Sequence, residues 1–446
     1  MLDHDFFAHL PGAFRELERA FAALPEWDAS APGGDRMAEV LGELAGRLGD
    51  NYPYFHPLYA GQMLKPPHPV ARMAYALAMW INPNNHALDG GRATSRMEKE
   101  AVASLAGMFG FPTHVGHLAS GGTMANLEAL WVAGRLDPGK RIVASSQAHY
   151  THQRITGVLQ IPFAEVDCDT RGRMDPDALE AMLRQGDVGT VVATAGTTAA
   201  GAVDPLPEIL QLRRRYPFRL HVDAAYGGYF TLAGNLAPET RAALDLVGQA
   251  DSVVVDPHKH GLQPYGCGAV LFRDPSVGTL YRHESPYTYF TSRELHLGEI
   301  SLECSRPGAA AAALWATQRL LPLARGGEFA GGLEACWRAA LSLYAKLRDD
   351  PAVLTPFAPQ LDIVVWAPRG ASTTEASVRS REIFERAAGK GLHLALAHLP
   401  AAFFSSRYPE LRVEGERVTC LRSALMKPEH EAWVERIWEI LRKSTG

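Results

Sequence analysis

Apolar residues follow three successive patterns along this chain. Over residues 1–50 they recur at helical spacing, with Phe7, Leu10, Phe14, Leu17 and Phe21 on one face and Met37, Val40, Leu41, Leu44 and Leu48 on another, which predicts two amphipathic helices. Pro53, Pro57, Pro66, Pro67 and Pro69 then break the pattern, each fixing φ and removing a donor, with Tyr52, Tyr54, Phe55, His56 and Tyr59 between them. Two short helices and an irregular aromatic segment bury little alone. This arm therefore needs a partner surface, and a second subunit is preferred over the main domain as its source.

From about residue 94 helix and strand alternate. Ser95 and Glu98 form a capping-box pattern, Met97, Ala101, Leu105 and Met108 follow at helical spacing, and Gly110 with Pro112 marks the stop. Short apolar runs recur at 115–119, 142–145, 190–195, 219–223, 252–256 and 267–272, separated by helical stretches such as 175–184, where Asp175 is the N-cap and Pro176 the first helical residue. The pattern predicts an α/β fold with a mostly parallel sheet covered on both faces. After a loop rich in Tyr and His at 281–297, a small-residue helix begins near Gly308. Strands at 362–366 and 417–421 and a last helix at 429–442 make a smaller α+β unit. The expected organisation is an N-terminal helical arm over 1–85, a large domain over 86–325 and a small C-terminal domain over 326–446.

Composition narrows the classes. At 446 residues, 47% hydrophobic and 21% charged, the chain can bury two or three cores, which excludes disorder and fibrous repeats. Its 44 basic against 49 acidic residues leave a net charge of -5, which argues against a nucleic-acid partner. Arg213-Arg214-Arg215 reads as a solvated helix end, where cations are favourable. No apolar run approaches the roughly 18 residues needed to span a bilayer, and the first residues lack a basic segment followed by an apolar one, so the expectation is a cytoplasmic protein with no membrane partner. Cys168, Cys267, Cys304, Cys336 and Cys420 are scattered without C-x-x-C spacing and read as small buried hydrophobes.

In an open α/β sheet ligands bind beyond the carboxyl ends of the strands, so the residues after each apolar run carry the functional reading. The first run leads through Ser120-Gly121-Gly122-Thr123 straight into a helix over 124–135. Its bare backbone can approach an anion, and the helix start supplies free N–H groups. The next ends at Gln147-Ala148-His149-Tyr150, and the run over 190–195 leads to Gly196-Thr197-Thr198. His221-Val222-Asp223-Ala224-Ala225-Tyr226 places a carboxylate where burial is costly unless a cation meets it. Asp256-Pro257-His258-Lys259-His260 places a lysine at the end of a buried strand. An incidental ion pair between Asp223 and Lys259 would explain those two but not the glycine turn or the histidine. His258 and His260 have no third ligand placed to make a metal site, so no metal is expected.

One ligand asks for all these groups together, namely pyridoxal phosphate. Its aldehyde needs a lysine, its ring nitrogen a carboxylate, its phosphate a glycine turn at a helix start, and its ring a flat partner. Lys259, Asp223, Gly122 with Thr123, and His149 fill these roles.

The motifs Ser120-Gly-Gly-Thr-Met-Ala-Asn126, Gln147-Ala-His149, Gly196-Thr197-Thr198, His221-Val-Asp-Ala-Ala-Tyr226 and Asp256-Pro-His-Lys259 resemble those of the group II pyridoxal-phosphate-dependent amino acid decarboxylases. The resemblance runs in family order from about residue 50 to the C-terminus. It implies the aspartate-aminotransferase-like fold (fold type I), with a mostly parallel seven-stranded sheet in the large domain. It also implies decarboxylation of an L-amino acid, and a homodimer with the active site at the subunit interface and the N-terminal segment wrapped over the partner. In such a site His149 would stack on the ring, Thr197 would lie near its hydroxyl side, and His258 would help hold the phosphate, with Gly121 and Ala225 completing the cofactor set. A loop tyrosine, Tyr287 or Tyr289, would return a proton to the substrate Cα. Substrate contacts would come from Tyr54, Phe55, Asn85 and His86 of the arm and from Arg422, and the arm's aromatic content favours an aromatic substrate.

The cofactor site does not fix the reaction. Cys304-Ser305-Arg306-Pro307-Gly308 is similar to both archaeal-type tyrosine decarboxylases and sphingosine-1-phosphate lyase, which breaks a carbon–carbon bond with the same cofactor. An aminotransferase is a third reading, disfavoured by the histidine before Lys259. A non-enzymatic binder is a fourth, disfavoured by the lysine itself.

Overall fold

The computed structural model describes residues 5–25, 34–281 and 295–445. Its central sheet is built from β1 (Val115–Ala119), β2 (Arg141–Ser145), β3 (Phe163–Val166), β4 (Val188–Thr194), β5 (Arg219–Asp223), β6 (Ser252–Val255) and β7 (Gly268–Phe272), in the order β1-β7-β6-β5-β4-β2-β3. β3, β2, β4, β5 and β6 pair in parallel, while β7 runs antiparallel to both β6 and β1. With β7 reversed between them, β1 and β6 point the same way, so the carboxyl ends of β1, β2, β4, β5 and β6 meet at one rim. All six apolar runs are strands. β4 is buried along its whole length, as a central strand covered on both faces must be. The edge strand β3, Phe-Ala-Glu-Val, is too short and too polar to show in the sequence pattern.

A second, antiparallel sheet has the order β10-β11-β9-β8, from β8 (Val353–Leu354), β9 (Ile363–Pro368), β10 (Ala395–Pro400) and β11 (Arg417–Ala424). The long Glu328–Asp349 helix and the His430–Thr445 helix pack on it around the fully buried Trp366. One apolar cluster runs from the central sheet through Leu361, Ile363 and Val365 into this second sheet, which ties the two together. Among the described residues no helix is long and apolar enough to cross a membrane.

The N-terminal segment forms α1 (Leu10–Ala20), α2 (Gly34–Leu48) and α3 (Pro69–Met79). α1 meets α3 where Phe14 packs edge-on to Trp80 at 5.2 Å. The irregular stretch between α2 and α3 is bonded to this chain's own second sheet. His393 N donates to Leu58 O, Ala60 N to His393 O, and Ala424 N to Ala60 O, so it runs along the second sheet. Met37, Val40, Leu41, Leu44 and Leu48 of α2 stay exposed.

Ser95 does not cap a helix. α4 (Leu88–Phe109) begins seven residues earlier and kinks at Gly91, whose φ of -157° and ψ of 55° are not helical. Glu98 is recruited instead by donors from distant segments. It accepts from Asn85 Nδ2 at 2.6 Å, Leu118 N at 2.9 Å and Arg306 Nη1 at 2.5 Å, all buried. Three charge-assisted or buried bonds outweigh one local cap. They clamp the N-terminal segment, β1 and the 306 loop together beside the glycine turn. Replacing Arg306 with Leu leaves Glu98 buried without its cation and is expected to cost about 3–5 kcal/mol, read from urea unfolding.

Candidate active site

At the common rim lies a cavity of about 300 Å³. Its wall takes Gly121, Gly122 and Thr123 from the turn after β1, His149 from beyond β2, Thr194, Gly196 and Thr198 from the end of β4, Asp223, Ala225 and Tyr226 from β5, and Asp256, His258 and Lys259 from beyond β6. Five strand ends thus contribute to one concavity.

The glycine turn is held from below. A Cβ on Gly122 would stand 2.7 Å from Asp256 Oδ2, so only glycine fits there. α5 (Gly122–Leu136) starts without a side-chain cap, which leaves its first N–H groups available to an anion. Asn126 Nδ2 donates to Gly122 O at 2.8 Å, and its Oδ1 lies 2.8 Å from His221 Nε2. Because that oxygen can only accept, Nε2 carries the proton, and His221 Nδ1 accepts from Ser252 Oγ at 2.8 Å. Burial pushes the His221 pKa down to about 3, so this relay is neutral and fixed.

Asp223 is 5% exposed. Its Oδ1 accepts from Ala225 N at 3.1 Å and its Oδ2 from His152 Nε2 at 3.0 Å. Burial alone would raise its pKa. The hydrogen bond and charge of His152, reinforced by the charge of Lys259, outweigh that and hold the carboxyl below the usual carboxylate range. His152 was not legible as a site residue. Its one signal is its nearness in sequence to His149, which lies just before α6 (Thr151–Leu159), whereas His152 sits in the first turn of that helix.

Lys259 does not pair with Asp223. Its Nζ lies 3.0 Å from Asp256 Oδ2, while Asp256 Oδ1 is buried without a partner. His258 Nδ1 is anchored 2.8 Å from Cys267 O, and its ring faces the cavity. His149 is held by Thr151 Oγ1 at 2.8 Å, and burial lowers its pKa, so it offers a neutral flat face.

Other residues lie elsewhere. Thr197 is buried, its Oγ1 accepting from Ala202 N. Asn85 is enclosed, with its amide spent on Glu98 and Thr94. His86 packs against Gly298, Tyr54 packs edge-on to Tyr59 at 4.9 Å, and Phe55 lines a different cavity. Arg422 is buried behind Tyr226, with Nε and Nη2 lacking partners. Tyr287 and Tyr289 lie outside the described residues.

A family model described as the pyridoxal-dependent decarboxylase conserved domain matches residues 53–366. The chain belongs to that family. Within it, the chain is 30% identical over 391 residues to an L-tyrosine decarboxylase of Enterococcus faecium, across 65% of this chain and 64% of that protein. It is 34% identical over 228 residues to a probable L-aspartate decarboxylase of Halobacterium salinarum, across 50% and 62%. The chain spans somewhat less than two thirds of the length of these relatives. Its fold is similar to that of Oryza sativa TDC crystallised with PLP and tryptamine, with a TM-score of 0.78 at 19% identity over 100% of this chain and 98% of that one. The cofactor of this decarboxylase family is pyridoxal phosphate, and the cavity fits it. A cradle that a Cβ would fill faces a helix start, an amine stands opposite, and a carboxylate is kept ionised beneath.

His152→Phe removes the bond to Asp223 Oδ2. It is expected to weaken pyridoxal phosphate binding roughly tenfold, about 1.4 kcal/mol, in a fluorescence titration. Acid stability tests the neutral relay. The folded pKa of His221, about 3, lies below its ordinary 6.5, so the unfolded chain binds more protons between those values. Stability is complete above pH 6.5 and falls on acidification towards pH 3. His221→Gln is expected to flatten that acid limb in urea melts.

Proposed function

We propose that the chain decarboxylates an L-amino acid with pyridoxal phosphate, acting as a cytoplasmic homodimer and preferring aromatic substrates. The observation that carries this reading is the convergence of Lys259 and an ionised Asp223 on one cavity, with a flat neutral His149 beside them.

Bound there, the cofactor supplies an aldehyde for the amine and a protonated ring that takes up the electron pair left by departing carbon dioxide. The chain's residues do the rest. Lys259 would hold the cofactor's aldehyde through its amine. Asp223, kept negative by His152, holds a proton on the ring nitrogen. The Gly122 turn and the α5 start would hold the cofactor's phosphate together with His258, and His149 would offer its ring a flat face. Arg422, with two guanidinium nitrogens unpartnered, is suited to a substrate carboxylate. Tyr287 or Tyr289 returns the proton to Cα.

An aromatic preference draws support from relatives named as tyrosine decarboxylases. Dimerisation draws support from the uncovered apolar face of α2, and a cytoplasmic setting from five free cysteines. Arg306, the residue shared with the lyase motif, is consumed by Glu98 and lends that alternative no support.

Purified protein incubated with a panel of L-amino acids is expected to release carbon dioxide and an amine, fastest with tyrosine, tryptophan or phenylalanine. Lys259→Ala is expected to abolish both this turnover and the yellow imine absorption of the bound cofactor. Aldehyde release from a phosphorylated sphingoid base would support the lyase, and a keto acid without carbon dioxide the aminotransferase.

A further inference from the structure

A second cavity, of about 560 Å³, shares no lining residue with the first. It opens between the start of α3, the start of the Glu328–Asp349 helix and the loop before the last helix. His260 faces it, although the preceding residue, Lys259, faces the active-site cavity.

Three cations, Lys65, Arg72 and Lys427, line this cavity against two carboxylates, Glu328 and Glu429, that are exposed. Lys427 is 3% exposed, and its Nζ donates to Tyr59 O at 2.7 Å. The half-buried Lys65 donates only to Met426 O at 3.2 Å. Among the described residues no carboxylate comes within the 4.0 Å ion-pair distance of either ammonium. Arg72 adds a third cation on the same wall, and its buried Nε has no partner. The buried Asp362 accepts from the Tyr226 hydroxyl at 2.7 Å through Oδ1, and its Oδ2 lies 3.2 Å from His260 Nε2 and beyond ion-pair distance of both lysines. Glu328 and Glu429 stand at the exposed rim, where water screens them. His68 cannot supply negative charge, and its Nδ1 accepts from Val70 N. Like charges gathered in a low-dielectric cavity are costly until an anion joins them. The cost shows in Lys427, whose pKa burial, and then the charge of Lys65, push down to about 7. Apolar side chains, among them Phe55 and Phe329, line the rest of the space.

We propose that this cavity binds a small organic anion, its carboxylate or phosphate head held between Lys65 and Lys427 and its apolar part against the Phe55 and Phe329 walls. The site is separate from the cofactor's phosphate turn and does not depend on the reaction assigned to the first cavity.

The test uses the full chain saturated with pyridoxal phosphate, so that the Gly122 turn is filled. Inorganic phosphate and acetate are titrated separately at constant ionic strength against chloride, and the unfolding temperature is followed. The expected result is a saturable rise with at least one of them that Lys65→Met and Lys427→Met each abolish. A response to phosphate alone identifies a phosphate head, and a response to acetate alone a carboxylate. The proposal is overturned if neither raises the temperature beyond the chloride control, or if the rise survives both substitutions. Should the variants fail to fold, acetic anhydride labelling of the unaltered protein decides. The effective anion is expected to slow Lys427 modification at least fivefold, and unchanged labelling overturns the proposal.

Discussion

A carboxylate that must stay ionised while buried is the constraint around which the first cavity is arranged. Asp223 ends a strand whose neighbours on both sides are apolar, so its charge has little water to stabilise it. His152 and the Ala225 amide occupy its two oxygens, and Lys259 contributes charge from across the cavity. The geometry that makes this possible is topological. Reversing β7 lets β1 join the sheet while still ending at the rim where β5 and β6 end, which brings the glycine turn opposite the lysine.

The same economy of buried charge recurs around the site. Glu98 serves three segments at once, and its partner Arg306 also donates to Leu118 O, so the strand before the glycine turn is fixed through both its N–H and its C=O. Asn126, His221 and Ser252 then tie that turn to β5 and β6 by neutral bonds. The Glu98–Arg306 clamp lies outside the cavity, and the neutral bonds lie beneath it, so neither competes with the pairs that hold Asp223 and Lys259.

Much of this was legible in the sequence, because central parallel strands are continuous apolar runs and their ends announce themselves. Lys259, Asp223, His149 and Gly122 could be placed at one rim from that pattern alone. What escaped depends on side-chain direction in irregular backbone or on distant partners. Phe55 and Asn85 sit in a segment with no periodicity to say which way each points, and one turned to the second cavity, the other to Glu98. Thr197 turned inward to close its own loop through Ala202. Ser95 and Glu98 matched a local rule that tertiary donors overrode. His152 looked like one polar residue on an ordinary helix, since its meaning comes from a strand 71 positions later in the chain.

His149 stands in the loop just before α6, tied to the first helical residue through Thr151 Oγ1 and to His152 N through its carbonyl, while His152 lies in the first turn of the helix. One of them presents a flat face to the space above the cavity floor, and the other grips the acid below it. Any shift of that helix start would reach the acid directly through His152 and the flat face through those two hydrogen bonds, so the two properties are geared together. Variation that tunes one without the other has to come from β5 or from the cavity's far wall.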